Sequence, residues 1–380
     1  MQDILRPTSF QPLSLTMLNV GPIRELTTID FVGQQGISNL FLLMGPNGSG
    51  KSTALEAIYC ALGALAPEPV TPSFPEIEDG TGGIQFDARI ILDDGIKAKP
   101  FVLSIAIGAL GLLKPWTEES AAAVEADQQI VLNIQRGIPG VGRRSFSGDR
   151  EALSFAAFIQ QQTPEAPLDV FDDSLGLPTV LYFTADRAMI KPAGRRSIVS
   201  PKNYGFRPAH RFGIDGQEWD NSIDNLFVWY AWLNDGREER CRSMVNDLLF
   251  KDGKRRLGEV NRQEFFVPVV VESVEGSSEH HVDQLSHGER QLLQFIVRTA
   301  SHMTGSTIVL VDEAELHLHT TFCARLMAIL KDWIRLYPGL TVIMTSHQTE
   351  LVRLMAPKEQ EHSIRKGGAL VKPRYYKAAR

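Results

Sequence analysis

The chain has 380 residues, 43% hydrophobic and 22% charged, with a net charge of −6. That is enough apolar material for one elaborated domain or two intimate lobes, and the negative balance excludes a protein that is basic throughout and binds nucleic acid by its overall charge. Cys60, Cys241 and Cys323 are scattered without a CxxC pair, which predicts reduced thiols in a cytoplasmic protein. No basic-then-apolar leader opens the chain, and no apolar run approaches the roughly 20 residues that span a bilayer, so no membrane insertion is expected.

Two alternating runs, 13–20 and 26–31, predict an antiparallel hairpin. Residues 39–44 are a continuous apolar run ending in glycines, the pattern of a strand buried in a parallel sheet. Directly after it, Gly45-Pro46-Asn47-Gly48-Ser49-Gly50-Lys51-Ser52 fits G-x-x-x-x-G-K-[ST] in full. Such glycines let backbone N–H groups cradle phosphate oxygens, and a helix over 52–65, beginning with Ser52 and Thr53, would aim its positive end at the same anion. Lys51 would reach the β- and γ-phosphates of ATP, and Ser52 would ligate Mg²⁺.

Residues 83–92 and 101–107 read as further antiparallel strands. Residues 114–178, rich in Gly, Pro, Asp and Glu, read as an irregular insertion. A second buried strand over 179–184 runs into Asp186 and Arg187. The segment 187–211 holds Arg187, Lys191, Arg195, Arg196, Lys202, Arg207 and Arg211 without an acid, with Tyr204 and Phe206 interleaved. It is either a solvated loop or a contact surface for nucleic acid or an acidic partner.

Two helices are predicted over 220–250. Apolar positions Leu292, Leu293, Ile296, Ala300 and Met303 mark another over 286–303, and Phe322, Leu326, Ile329, Leu330 and Trp333 mark the next. Between these last two, an apolar strand over 307–311 ends in Asp312 and Glu313. Asp312 is placed to hold Mg²⁺, and Glu313 to polarise an attacking water. A final strand over 341–344 leads to Thr345-Ser346-His347. Four parallel strands thus bring polar ends to one crevice, where ligands bind in open parallel sheets.

The expected fold is α/β: a P-loop NTPase with a mixed sheet and flanking helices, an antiparallel β subdomain and a helical lobe. The expected parts are 1–113 with the phosphate loop, 114–178 as the insertion, 179–260 with the fourth core strand, helical lobe and basic loop, and 261–380 with the acidic pair and His347.

Leu285-Ser286-His287-Gly288-Glu289 is open to two readings. Ser286 with Glu289 three residues on makes a plain capping box. The string also resembles the signature motif of ABC-type ATPases, commonly LSGGQ, and the order of motifs along the chain matches that class. The resemblance implies that Ser286 and Gly288 contact the γ-phosphate bound to a second subunit. It also implies that His347 bonds the γ-phosphate and that the protein works as a homodimer or higher homo-oligomer.

A Gln-bearing loop of that class is missing. Asp186 or Arg187 stands in its place, with Gln160, Gln161 and Gln162 as alternatives on a helix. Asp312-Glu313-Ala314-Glu315-Leu316-His317-Leu318-His319, with the Tyr-Phe-Thr-Ala-Asp-Arg element at 182–187, resembles the prokaryotic ATPases of the SMC, Rad50, RecF and OLD group. Relatives of that group include ATPase subunits of antiphage systems such as Septu and PARIS. This implies an ATPase or sensor subunit of a defence or DNA-maintenance system, controlling an effector such as a nuclease. The ATP-binding subunit of an ABC transporter is the alternative. His317 and His319 read as part of a dimer-facing loop rather than as metal ligands.

Overall fold

The computed structural model describes residues 5–67, 74–108, 110–135, 145–162, 168–202, 204–251, 253–273, 276–316, 319–356 and 363–371. Two six-stranded sheets organise it. The first is largely antiparallel. The expected hairpin is there, with Arg6–Leu18 paired to Thr27–Asp30. On its other side Arg6–Leu18 pairs with Gly83–Asp93, which pairs in turn with Ala98–Gly108.

Residues 114–178 depart from the irregular segment expected. Gln128–Gln135 adds to this sheet as a parallel neighbour of Ala98–Gly108, Ser145–Gly148 closes the edge, and the helix Arg150–Gln161 follows. The signals for order were diluted by the turn residues between these short elements. That helix buries Ala152, Phe155, Ala156 and Ile159, so Gln160 and Gln161 end an element devoted to the antiparallel sheet.

The second sheet is parallel and carries the four strands read from the sequence, in the order Pro178–Met189, Ser306–Val311, Thr341–Ser346, Leu40–Met44. Ala209–Asp215 and Lys366–Leu370 flank them. Each central strand is apolar on both faces because both are covered. Phe41, Leu43, Val180, Tyr182, Ile308, Leu310 and Ile343 face the core shared with the helix Lys51–Gly63 and the first sheet. Leu40, Leu42, Leu181, Phe183, Val309, Val311, Val342 and Met344 face a second core, built with the helices Ile223–Leu233, Arg237–Leu249, His287–His302 and Thr320–Leu336. This is a P-loop NTPase fold. No helix among the described residues is long and apolar enough to cross a membrane.

Candidate active site

The phosphate loop joins Leu40–Met44 to the helix Lys51–Gly63. Its glycines are demanded by geometry. Gly45 has φ 156°, and a Cβ there would sit 2.3 Å from the Val371 carbonyl oxygen. Gly50, the residue before the helix, is left-handed at φ 99° and offers no side-chain cap, so the helix's first N–H groups keep their donors for a ligand. Lys51 is buried, and its Nζ donates to the carbonyls of Gly45 at 2.9 Å and Pro46 at 3.1 Å, which places the ammonium inside the loop. Ser49 Oγ is buried without a hydrogen-bond partner among the described residues.

Asp312 lies across the crevice on the end of Ser306–Val311. Its Oδ1 accepts from Ser52 Oγ at 3.1 Å and from Thr345 Oγ1 at 2.6 Å. The helix that follows the phosphate loop and the ends of two strands therefore meet at one carboxylate oxygen. Thr345 Oγ1 also accepts from the Glu313 N–H at 2.7 Å. Glu313 is half-buried and left-handed at φ 45°, a conformation that costs a non-glycine residue ~1 kcal/mol or more and persists only where its surroundings enforce it.

Arg187 supplies part of that enforcement from the fourth strand. Its side chain is 4% exposed and hydrogen-bonds to carbonyl oxygens. Nη1 donates to the carbonyls of Thr184 (3.1 Å) and Asp312 (2.7 Å), and Nη2 to those of Glu313 (3.1 Å) and Ala314 (3.4 Å). Burial brings its pKa down to about 10, against the pull of the Asp312, Glu315 and Glu313 carboxylates, so it stays charged near neutral pH.

His347 follows Thr341–Ser346, with its side chain 40% exposed and its Nδ1 3.0 Å from Glu315 Oε1. The same oxygen accepts from the His347 N–H and from Ser346 Oγ, each at 2.9 Å. A carboxylate only accepts, so Nδ1 carries a proton and Nε2 is the ring atom left for a ligand. Glu315 Oε2 is buried with no hydrogen-bond partner among the described residues. Sequence reasoning assigned no role to Glu315 or Thr345. A hydroxyl that bridges two strand ends carries no mark in one sequence, although a second acid two residues after Glu313 in an apolar context is a usable signal.

Ser286 caps the helix His287–His302 in a full capping box, with its N–H and Oγ both on Glu289 Oε2 and its Oγ accepting from the Glu289 N–H. Glu289 is also paired to Arg255 at 2.6 Å. A Cβ on Gly288 would lie 2.9 Å from the Phe322 ring. Both residues therefore have structural work within the chain, and neither is hydrogen-bonded to the phosphate loop. His319 caps the helix Thr320–Leu336. His317 lies outside the described residues, and these hold no cluster of three or more His, Cys, Asp or Glu suited to a metal.

The basic segment is less of a surface than its composition suggests. Arg187 is interior, Arg211 pairs with Glu56 at 2.9 Å over the Tyr59 and Tyr182 rings, and Lys202 pairs with Glu218 and Asp220. Arg196 bonds the Glu264 carbonyl, Phe206 is buried, and Tyr204 packs on Trp229 and Tyr230. Lys191, Arg195 and Arg207 remain exposed.

Two family models match the chain. One, an AAA domain, covers residues 14–100. The other covers residues 213–353 and is described as "AAA domain, putative AbiEii toxin, Type IV TA system". The first match contains the phosphate loop; the second contains Ser286, the acidic pair and His347. The chain carries a P-loop ATPase core.

Among solved structures, an ATP-binding cassette of an ABC transporter in its ADP conformation is 10% identical with a TM-score of 0.34, covering 90% of this chain and 85% of that one. The cbiO1 protein from Clostridium perfringens, part of the ABC transporter complex cbiONQ, is 11% identical with a TM-score of 0.31, covering 92% and 82%. Likeness at that level leaves the architecture to be read from the strands themselves. No curated protein sequence matches the chain.

Proposed function

We propose that this protein binds and hydrolyses ATP as a nucleotide-gated homodimer, and that its nucleotide state controls a partner effector in a bacterial defence or DNA-maintenance system. The observation that carries the ATP reading is the convergence on Asp312, where hydroxyls from the phosphate loop and from Thr345 meet one carboxylate oxygen. A serine hydroxyl and an aspartate 3.1 Å apart are the hard oxygen donors that Mg²⁺ takes, so Ser52 and Asp312 fit that ion. When bound, Mg²⁺ would neutralise charge on the phosphates.

Residues Gly45, Pro46, Asn47, Gly48, Ser49, Gly50, Lys51, Ser52 and Thr53 would hold the phosphates, chiefly through backbone N–H groups and the Lys51 ammonium. Glu313 would take the proton of the attacking water. His347 would meet the γ-phosphate through Nε2, oriented by the Glu315 carboxylate on Nδ1. Ser286 and Gly288 would complete the site of a second copy. The effector reading is supported by the toxin named in the second family model and by the acidic string at 312–319.

Glu313→Gln tests the chemistry. We expect ATP binding to persist, turnover to fall about 10²–10⁴-fold as for loss of a general base, and a dimer to accumulate with ATP in size-exclusion chromatography. Wild-type phosphate release would place the base elsewhere. Mixing two inactive variants, Ser286→Arg and Lys51→Ala, tests the shared site. Mixed dimers would keep one intact loop facing one intact Ser286, so part of the ATPase activity should return. Full activity of Ser286→Arg alone would reduce Ser286 to the helix cap seen in the structure. The trapped Glu313→Gln dimer is also the bait for the effector. A co-purifying nuclease supports the reading, and a membrane-embedded transporter subunit overturns it.

A further inference from the structure

Arg187 presents an unusual arrangement for a buried cation. Four of its hydrogen bonds go to carbonyl oxygens, three of them on the consecutive residues Asp312, Glu313 and Ala314. These carbonyls fan outward because Glu313 turns left-handed at φ 45°, and a planar guanidinium fork can meet several of them at once. The Glu313 N–H is held from the other side by Thr345 Oγ1 at 2.7 Å. The turn is thus clamped by a hydroxyl at its start and a guanidinium along its carbonyls.

Arg187 is held in turn by the helix that Ser286 opens. Gln291 Nε2 donates to the Arg187 carbonyl at 3.2 Å and lies 3.1 Å from His287 Nε2, and Arg290 Nη1 donates to the Met189 carbonyl at 2.8 Å. A continuous set of polar contacts therefore runs from His287, next to Ser286, through Gln291 and Arg187 to the turn that carries Glu313.

We propose that Arg187 is a positioning residue: it fixes the direction of the Glu313 carboxylate and makes that direction depend on the seating of the helix His287–His302. The proposal rests on the reading of Glu313 as the base. It deepens that reading by joining the surface expected to meet a second copy's nucleotide to the base of the same chain's own site. A dimer built this way would sense at each Glu313 whether the helix beside it is docked.

Arg187→Lys keeps the charge but cannot span three successive carbonyls. We expect it to fold, to bind ATP with a Kd within about twofold of the parent, and to lose about 100-fold in kcat, the penalty of a base misplaced by about 1 Å. Gln291→Ala leaves Arg187 intact and cuts one tie, so kcat should fall about tenfold, one ordinary hydrogen bond's worth. The double variant should be no slower than Arg187→Lys alone, because both act through one path.

The positioning role is overturned if Arg187→Lys retains full kcat, if Kd rises in step with the loss of kcat, or if the two losses multiply. Glu313→Gln measured alongside separates the failures. Wild-type turnover there removes the base assignment and this proposal with it, whereas loss there with full kcat in Arg187→Lys removes the positioning role alone.

Discussion

Buried carboxylates occur in both sheets, and they are treated differently. Asp87, in the antiparallel sheet, is wholly inaccessible. It accepts from Ser14 Oγ and Ser104 Oγ at 2.6 Å and from Gln85 Nε2 at 2.8 Å, using both oxygens. Gln85 then accepts from the Leu113 and Lys114 N–H groups, and Gln129 bonds Ser104. The network closes on itself and stitches the chain after Gly108 to the sheet. Burial still pushes the Asp87 carboxyl up, with those hydrogen bonds opposing it.

At the parallel sheet, Asp312 gathers its hydroxyls on Oδ1, and Glu315 gathers three donors on Oε1 while Oε2 has none among the described residues. A carboxylate saturated by fixed donors is scaffold. One satisfied on a single oxygen, beside a strained turn and a glycine loop, retains capacity for a ligand.

The two regions should therefore respond to mutation in different observables. Lys51→Ala should weaken ATP binding by about 10³-fold, the cost of removing one partner of a desolvated charge pair, with the unfolding transition unchanged. A labelled ATP analogue reads the first and a thermal melt the second. Near-normal affinity would break the assignment of the loop.

Asp87→Ala should do the reverse. Leaving Ser14, Ser104 and Gln85 with orphaned donors costs about 3 kcal/mol of stability, seen as a lower denaturant midpoint, while ATP affinity of the folded protein is unchanged. A loss of affinity without a loss of stability would show that the antiparallel sheet reaches the site.

A smaller effect follows from histidines beside the parallel sheet. His210 and His302 are in ring contact at 4.4 Å, and burial holds His210 well below its usual value and His302 at about 3. Below pH 6.5 the unfolded chain binds protons that the folded chain refuses, so stability should fall on acidification, by about 1.4 kcal/mol per pH unit for each histidine. Asp224 and Asp87 work in the opposite sense, since burial raises both, Asp224 to about 6, and their folded forms gain protons first. Denaturant titrations at pH 5, 6 and 7 should show the midpoint dropping, and His302→Gln should flatten the slope. A midpoint rising toward pH 5 would contradict the buried neutral pair.

The least expected change is at the basic segment. Charge reversal at Arg195 and Arg196 should leave ATP turnover unaltered and lower nucleic-acid binding only if the exposed cations form an interface. Fluorescence anisotropy with DNA and RNA, repeated over a salt series, decides it, because a phosphate interface gives an affinity that falls with log salt. No change on reversal leaves a solvated loop.

The elements easiest to read were the ones whose pattern is set locally. The strand 39–44, the glycine loop and the strand over 307–311 are legible because burial on both faces forces continuous apolar runs, and because a loop that wraps phosphate must use glycines. Residues 114–178 differ from the irregular segment expected because their strands are short and Gln128–Gln135 takes its partner, Ala98–Gly108, in parallel across an intervening helix Glu118–Ala122. No local periodicity announces such a pairing.

The composition of 187–211 left a solvated loop and a contact surface both open, yet its ends are strands. Burial turned Arg187 inward, and pairing with Glu56 engaged Arg211. The sequence by itself determined the loop, the acidic pair and the apolar strands that carry them, since each depends on residues adjacent in the chain. The tertiary structure alone decided that Thr345 joins Asp312 to Glu313, that Glu315 holds His347, and that Arg187 braces the turn between them. Those contacts join residues up to 127 positions apart, and a hydrogen bond across such a separation exists only once the core has brought both ends to the same edge of the sheet.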